Sequence, residues 1–153
     1  MNDIKRILVV SRDTKHCQKA VRYGMSLSQT YGSELYVVHV VHDPLIFGGW
    51  NLPFPSLEEE YKKTLKDARD ELHQIINSEK KMGTPIKELV KEGKPTDEIL
   101  KIVSEEKIDL IVMLSHEEGH MEHFLFGRSN EDIIRKMPCS ILLVKKEPES
   151  VSF

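Results

Sequence analysis

The apolar residues of this chain are gathered into five short, nearly continuous runs. Runs of about four to eight residues that are rich in β-branched side chains are typical of strands buried on both faces, as in parallel sheets. The pattern therefore predicts five strands, at residues 4–11, 35–41, 86–90, 108–114 and 140–144.

Between these runs, apolar residues recur at intervals of three and four, which predicts amphipathic helices. The first helix is expected to begin at Asp13 or Thr14, either of which can act as an N-cap. Ser56 opens a capping box at the start of a long second helix. Thr96 is predicted to cap the third helix and Ser129 the fourth. Strands and helices therefore alternate along the whole chain.

This alternation predicts the fold class. It is typical of an α/β protein with an open, doubly wound, five-stranded parallel sheet and helices on both faces, a Rossmann-like arrangement. In such sheets ligands bind beyond the carboxyl ends of the strands, where the strand order reverses. We interpret residues 1–146 as a single domain and residues 147–153 as a flexible C-terminal tail.

Composition and charge narrow the class of function. The chain has 153 residues and a net charge of −3, which argues against binding nucleic acid through a general positive field. No apolar run approaches the roughly 20 residues of a membrane-spanning helix, and no signal-peptide pattern precedes the first strand. We therefore expect a cytoplasmic protein without a membrane partner. Cys17 and Cys139 lack a CxxC neighbour and are interpreted as small apolar side chains.

Six segments, in this order and at these separations, resemble the universal stress protein family along nearly the whole chain. They are ILVV at 7–10, VHVVHDP at 38–44, VKEGKP at 90–95, DEIL at 97–100, IDLIVM at 108–113 and PCSILLV at 138–144. The resemblance implies the family's fold, which is similar to that of the adenine nucleotide alpha hydrolases, and a role in stress response.

The ATP-binding members of that family carry a glycine signature after the fourth strand, and this chain departs from it. Leu114 and Glu117 stand at the first two glycine positions, Gly127 keeps the third, and Arg128 replaces the hydroxyl residue that follows. Arg12 stands where the family has an aspartate that contacts the nucleotide. Glycines let the backbone approach phosphate closely, whereas a carboxylate repels it. We therefore expect weak or absent ATP binding in the family's usual mode, and no cofactor.

The remaining pocket positions of the family match residues with small or apolar side chains, which could still line a site for ATP, another nucleotide or another ligand. They are Val10, Ser11, Val40, Met113, Ser129 and Asn130.

Arg12 and Arg128 suggest a second hypothesis for the same crevice. Two arginines beside a helix N-terminus could hold a phosphate or carboxylate other than ATP. Alternatively, each pairs with a local acid, such as Asp13 or Glu131, or faces solvent.

Metal binding and catalysis have less support. His116, His120 and His123 have a spacing that could hold zinc or nickel on a helix, but Gly119 interrupts the segment, and histidines scattered in a solvated loop explain the pattern as well. No nucleophile–base pair is recognisable, so an enzyme is not predicted. Asp109 is interpreted as a capping or pairing residue at the start of the fourth strand.

The family resemblance places the last strand at a sheet edge and implies a homodimer through it. Lys145 and Lys146 could instead guard a monomeric edge. The irregular segment 42–55, which contains Trp50, is a candidate lid or contact surface. The interface residues implied are Ile141, Leu142, Leu143 and Val144.

Two classes of function follow from this sequence. The first is a regulatory or interaction protein of the stress-protein type, which acts through dimerisation and an unidentified protein partner without the usual ATP mode. The alternative is a small-ligand sensor that binds a nucleotide or another anion in the altered pocket.

Overall fold

The computed structural model describes residues 3–11, 18–41, 55–79, 85–115 and 128–145. Strands and helices alternate through these residues, as the sequence predicts. The elements are β1 Arg6–Ser11, α1 Gln18–Tyr31, β2 Glu34–Val41, α2 Pro55–Glu79, β3 Ile86–Glu92, α3 Pro95–Glu106, β4 Leu110–Leu114, α4 Arg128–Lys136 and β5 Ser140–Val144.

The strands form one parallel five-stranded sheet in the order β3-β2-β1-β4-β5. The chain first builds outward from β1 through β2 to β3, then crosses to the other side of β1 to add β4 and β5. This order confirms the predicted open doubly wound fold, with β3 and β5 at its edges. The reversal of strand order lies between β1 and β4.

Alternation along β1 divides the core into two layers, one on each face of the sheet. Ile7 and Val9 pack with apolar residues of α1 and α2, whereas Leu8 and Val10 pack with those of α3 and α4. Helices therefore cover both faces, as predicted. The helical residues of the first layer are Ala20, Val21, Met25, Leu72, Ile75 and Ile76, and those of the second are Ile99, Ile102, Val103 and Ile133.

Helix α1 approaches β1 most closely at Gly24. A Cβ atom at this position would overlap the Val9 Cγ2 methyl and lie 3.2 Å from Leu35 Cδ1. Gly24 is thus required by the short distance between helix and sheet, because both neighbours are buried in the core.

At the amino end of the sheet, Asp109 ties two parts of the chain together. Its Oδ2 accepts hydrogen bonds from the backbone N–H groups of Lys5, at 2.8 Å, and Arg6, at 3.0 Å, while its own N–H donates to the Arg6 carbonyl. These contacts satisfy donors at the start of β1 that the ladder leaves unpaired. The interpretation of Asp109 as a structural pairing residue is confirmed.

The same end of the sheet holds a buried phenol with several polar neighbours. The Tyr36 hydroxyl lies 3.2 Å from Glu34 Oε2 and 3.3 Å from Glu106 Oε2, and it accepts a hydrogen bond from Lys87 Nζ at 3.2 Å. The Tyr36 hydrogen bond, and then Arg6, lower the pKa of Glu34, while the Tyr36 hydrogen bond raises the pKa of Lys87. The hydroxyl of this buried residue is therefore well supplied with partners.

The start of α3 differs from the prediction. Lys94, not Thr96, is the N-cap, and no side chain caps the helix there. Pro95 takes the first helical position, where its fixed φ suits the helix and its missing N–H is not needed. Thr96 is instead buried within the first turn. The prediction of Thr96 as the cap was wrong because Pro95 shifts the helix start by two residues.

Other boundaries move by one or two residues. Helices α2 and α4 begin one residue before the predicted caps, and β4 begins at Leu110 rather than 108. Strand β3 continues past its apolar run to Glu92, because its backbone stays paired with β2 up to Val41. Within the described residues, no helix is both long and apolar enough to cross a membrane. The predicted first cap and the segment 42–54 lie outside the described residues.

Candidate ligand site at the carboxyl ends of β1 and β4

The helices that follow β1 and β4 in the chain lie on opposite faces of the sheet. Helix α1, which follows β1, packs in the first core layer, while α4, which follows β4, packs in the second. The two strands that meet at the reversal of strand order are therefore followed by helices on opposite faces of the sheet, and folds of this class form a ligand-binding crevice at such a point. This is the position at which the fold class is expected to bind ligands.

Ser11, the last residue of β1, brings an unsatisfied hydroxyl to this end of the sheet. The residue is 1% exposed, and its Oγ has no hydrogen-bond partner among the described residues. Its carbonyl oxygen lies 3.0 Å from Nδ1 of His39, its register partner on β2. Because a carbonyl only accepts hydrogen bonds, His39 must carry a proton on Nδ1 in this contact.

Asn130, in the first turn of α4, supplies the second unsatisfied group. The residue is 5% exposed, and its Nδ2 donates to the carbonyl oxygen of Leu114, at the end of β4, over 3.2 Å. Its Oδ1 is buried and has no hydrogen-bond partner in the described part of the chain. Asn130 therefore joins α4 to the end of β4 and still leaves one acceptor free.

A buried polar atom without a partner lowers stability, by about 1–3 kcal/mol in typical cases. Most such atoms in folded proteins are paired with protein or ordered water, so that an unpaired one requires an explanation. Among the described residues, one such atom is on Ser11 at the end of β1, and another is on Asn130 in the first turn of α4, beside the end of β4. Both belong to the residues predicted from the family's pocket positions.

The apolar residues predicted for the site belong to the core below it. Val10, Val40 and Met113 are at most 7% exposed and pack in the second layer. Leu114 is half-buried and packs against the first layer. These side chains hold the strand ends in place, and contact with a ligand from the three most buried positions would come mainly from the backbone.

The structure leaves several predicted site residues untested. Arg12, Glu117 and Gly127 lie outside the described residues, as do His116, His120 and His123. Arg128 and Ser129 begin α4, but the positions of their side chains are not described. The two-arginine anion site and the histidine metal site therefore remain hypotheses. Among the described residues, no group of three or more metal-ligating side chains occurs.

Sequence analysis missed the role of His39, which it noted only as part of a family segment. The signal available was a polar residue within an otherwise apolar strand, one position before the end of the run. What could not be read from the sequence is the register that sets His39 beside Ser11.

Comparison with known proteins agrees with this arrangement. The pattern of the universal stress protein family matches residues 3–145. Universal stress protein MJ0577 of Methanocaldococcus jannaschii is 25% identical over 155 residues, covering 94% of this chain and 96% of that protein. Its solved structure superposes with a TM-score of 0.74 at 23% identity, over 95% of this chain and 98% of that one.

Two further solved structures have the same fold and hold nucleotides. One is a universal stress protein in complex with cAMP, with a TM-score of 0.57, 18% identity and coverage of 92% of this chain and 95% of that one. The other is the universal stress protein from Archaeoglobus fulgidus in complex with dAMP, with a TM-score of 0.54, 21% identity and coverage of 95% and 100%. Because the family's pattern matches residues 3–145, nearly the whole chain, this chain belongs to the universal stress protein family.

Proposed function

We propose that this universal stress protein is a regulatory protein that responds to a small ligand, which it binds in the crevice between the ends of β1 and β4. The ligand class we propose is a nucleoside monophosphate or a close analogue, and not ATP held through the family's glycine signature. The observation that carries the proposal is that two buried polar atoms near the reversal of strand order, Ser11 Oγ and Asn130 Oδ1, have no hydrogen-bond partner among the described residues.

A ligand explains these two atoms better than a structural role does. At Ser11, an apolar residue would avoid the loss of stability that an unpaired buried atom causes, and at Asn130 the bond to Leu114 uses the amide nitrogen but leaves Oδ1 unexplained. At the amino end of the same sheet, Asp109 and the Tyr36 hydroxyl have partners from the protein itself. A bound molecule could therefore supply the hydrogen bonds that Ser11 Oγ and Asn130 Oδ1 lack.

The size of the ligand is suggested by the structure at Leu114 and by the relatives. At this first glycine position, the side chain packs against the core and the carbonyl oxygen accepts from Asn130. A backbone engaged in this way does not offer the close approach that a glycine offers to a triphosphate. The complexes of relatives with cAMP and dAMP both contain monophosphates, which supports the smaller class.

The test is calorimetric titration of AMP, cAMP and ATP with Mg²⁺, after mass spectrometry has shown whether a nucleotide co-purifies. We expect saturable binding of a monophosphate, and ATP binding at least about tenfold weaker. Ser11→Ala should weaken the monophosphate, whereas Ser104→Ala, an exposed position on α3, should not. Equal or tighter binding of ATP would contradict the smaller ligand class. No heat with any nucleotide, and none co-purified, would refute ligand binding.

A second function, assembly through β5, is favoured by the contrast between the two edges of the sheet. Edge strand β3 carries the charged residues Lys87, Glu88, Lys91 and Glu92, which discourage pairing with another sheet. Edge strand β5 has no charged residue, and Leu143 is 47% exposed. We propose that β5 pairs with β5 of a second copy.

The four interface residues implied by the family resemblance would contribute unequally to this pairing. Val144 is 3% exposed and already packs in the protein's own core, while Ile141 and Leu142 are partly buried against it. The contact would therefore depend on the Leu143 side chain and on the backbone of the edge. Sedimentation equilibrium of Leu143→Lys should show dissociation to monomer. Tyr23→Lys, which alters a 45% exposed residue of α1, is the matched control. A wild-type chain that is monomeric at high concentration would refute the pairing.

A further inference from the structure

The hydrogen bond between Asn130 and Leu114 fixes which atom of the Asn130 amide remains free. A backbone carbonyl oxygen only accepts, so the amide must present its nitrogen to Leu114. Its Oδ1 then has to lie on the other side of the amide group, where it is buried and unpartnered within the described residues. An amide oxygen has no proton to give, so only a hydrogen-bond donor can satisfy it.

We infer that Asn130 determines the chemistry of the ligand group that binds beside it, and that this group is a hydrogen-bond donor, either a hydroxyl or an amino group. An unprotonated phosphate oxygen is excluded from contact with this atom, because it has no proton to donate. The inference rests on the proposed function, since it specifies the ligand at the same site. It assigns to Asn130 the role of a specificity residue.

The need of Asn130 Oδ1 for a donor runs against the usual preference of a helix N-terminus for anions. The first turn of a helix attracts anions, because its N–H groups are unpaired and the helix dipole is positive there. From the helix dipole and the free N–H groups alone, a phosphate would be expected to bind at the start of α4. At Asn130, however, a phosphate oxygen would face an amide oxygen, and two acceptors without a shared proton repel each other. The phosphate of a ligand must lie away from Oδ1, with a donor group of the same ligand beside it.

Ser11 does not impose the same restriction. A hydroxyl both donates and accepts, so Ser11 Oγ can be satisfied by a donor, by an acceptor or by water. Of the two unpartnered atoms, Asn130 Oδ1 is therefore the one that discriminates between ligand groups. A water molecule could also donate to Asn130 Oδ1. In that case, removing a donor group from the ligand would not change its affinity.

A nucleoside monophosphate has two kinds of donor, sugar hydroxyls and the exocyclic amino group of the base. They are separated by titrating wild-type protein with AMP, with 2′,3′-dideoxy-AMP, which lacks the sugar hydroxyls, and with IMP, which has an oxygen in place of the amino group. We expect one of the two analogues to bind at least about tenfold more weakly than AMP, because it leaves the buried acceptor unpaired. The analogue that loses affinity identifies the donor.

Asn130→Ala then shows whether the discrimination comes from this residue. In the variant, the dissociation constants of AMP and of the weaker analogue should agree within about threefold, because no acceptor remains to distinguish the two ligands. Asn77→Ala, at an exposed position on α2, should retain the full difference. If Asn130→Ala does not fold, Asn130→Ser provides the same comparison, since its hydroxyl can also donate and should relax the preference.

The outcomes separate this inference from the proposed function. Equal binding of AMP and both analogues by the wild type overturns the inference and leaves ligand binding intact. Discrimination that persists unchanged in a folded Asn130 variant overturns it as well. Absence of binding by all three nucleotides refutes the proposed function and, with it, the role of Asn130.

Discussion

The two ends of the sheet differ in how their polar side chains are paired. At the amino end, Asp109 accepts two backbone N–H groups, and the Tyr36 hydroxyl has two carboxylates and an ammonium group within hydrogen-bond distance. At the carboxyl end, Ser11 Oγ and Asn130 Oδ1 are buried without a partner in the described part of the chain.

This contrast distinguishes residues that stabilise the folded protein from residues that we propose to bind a ligand. A satisfied buried group contributes to stability, and its removal is unfavourable. A buried polar group without a partner lowers stability. Its removal by substitution should therefore leave the free energy of unfolding unchanged or raise it, and should impair only function. Substitutions at the two ends should therefore have opposite effects on unfolding.

The largest effect is expected at Asp109. Asp109→Ala leaves the N–H groups of Lys5 and Arg6 without their acceptor and should lower the free energy of unfolding by about 1–3 kcal/mol, measured by urea denaturation. Asp109→Asn keeps an acceptor oxygen and should lose less. If the two variants were equally stable, the hydrogen bonds would not be the source of the effect.

A smaller loss of stability is expected at Tyr36. Tyr36→Phe removes the hydroxyl but keeps the buried ring, and should lower the free energy of unfolding by about 0.5–1.5 kcal/mol. The loss is limited because Glu34 and Lys87 are exposed enough to regain water. Thermal unfolding of the variant beside Tyr23→Phe, an exposed tyrosine on α1, provides the comparison. A loss no larger than that of Tyr23→Phe would show that the network contributes nothing.

The opposite sign is expected at the carboxyl end. Ser11→Ala should leave the free energy of unfolding unchanged within about 0.5 kcal/mol or raise it slightly, because it removes a buried hydroxyl without a partner. The same urea experiment checks it, on protein freed of any bound nucleotide. A loss above about 1 kcal/mol would show that the hydroxyl is bonded in the unliganded protein.

The smallest effect is the pH dependence of the amino-end network. The pKa of Glu34 is lowered from 4.5 in the folded protein, first by the hydrogen bond from Tyr36 and then by Arg6. Its contribution to stability is therefore present above the pKa of the unfolded chain and is lost as the pH falls through the folded value. The difference in stability between wild type and Glu34→Gln should shrink on acidification, whereas Glu105→Gln, on the exposed side of α3, should show little difference at any pH.

The fold was readily predicted because it depends on the apolar pattern. The runs around Val9 and Val112 indicate buried strands, and alternation with helices implies a parallel sheet whatever the exact helix ends. The cap was wrongly predicted at Thr96 because Ser, Thr and Asp are good caps in general, whereas Pro95 fixes the start of this helix and makes Lys94 the N-cap. Local preference and the geometry of proline act in opposite directions there.

The site was less predictable than the fold. The family resemblance indicated Ser11 and Asn130 as positions, but not that their hydrogen bonds are incomplete, which depends on every neighbour in space. The contact of His39 with Ser11 and the partners of Tyr36 also follow from strand register and long-range packing. A pattern along one sequence does not contain this information.

The close contact of α1 with β1 at Gly24 has a consequence for how this protein can change. Any larger residue there would have to displace Val9 or move the helix outward. Ser11 follows Val9 by two residues, so that the two side chains leave β1 on the same face and a shift of one strains the position of the other. A substitution at Gly24, in the core, can thus alter ligand affinity through β1, so the contact between α1 and β1 limits how this end of the strand can evolve.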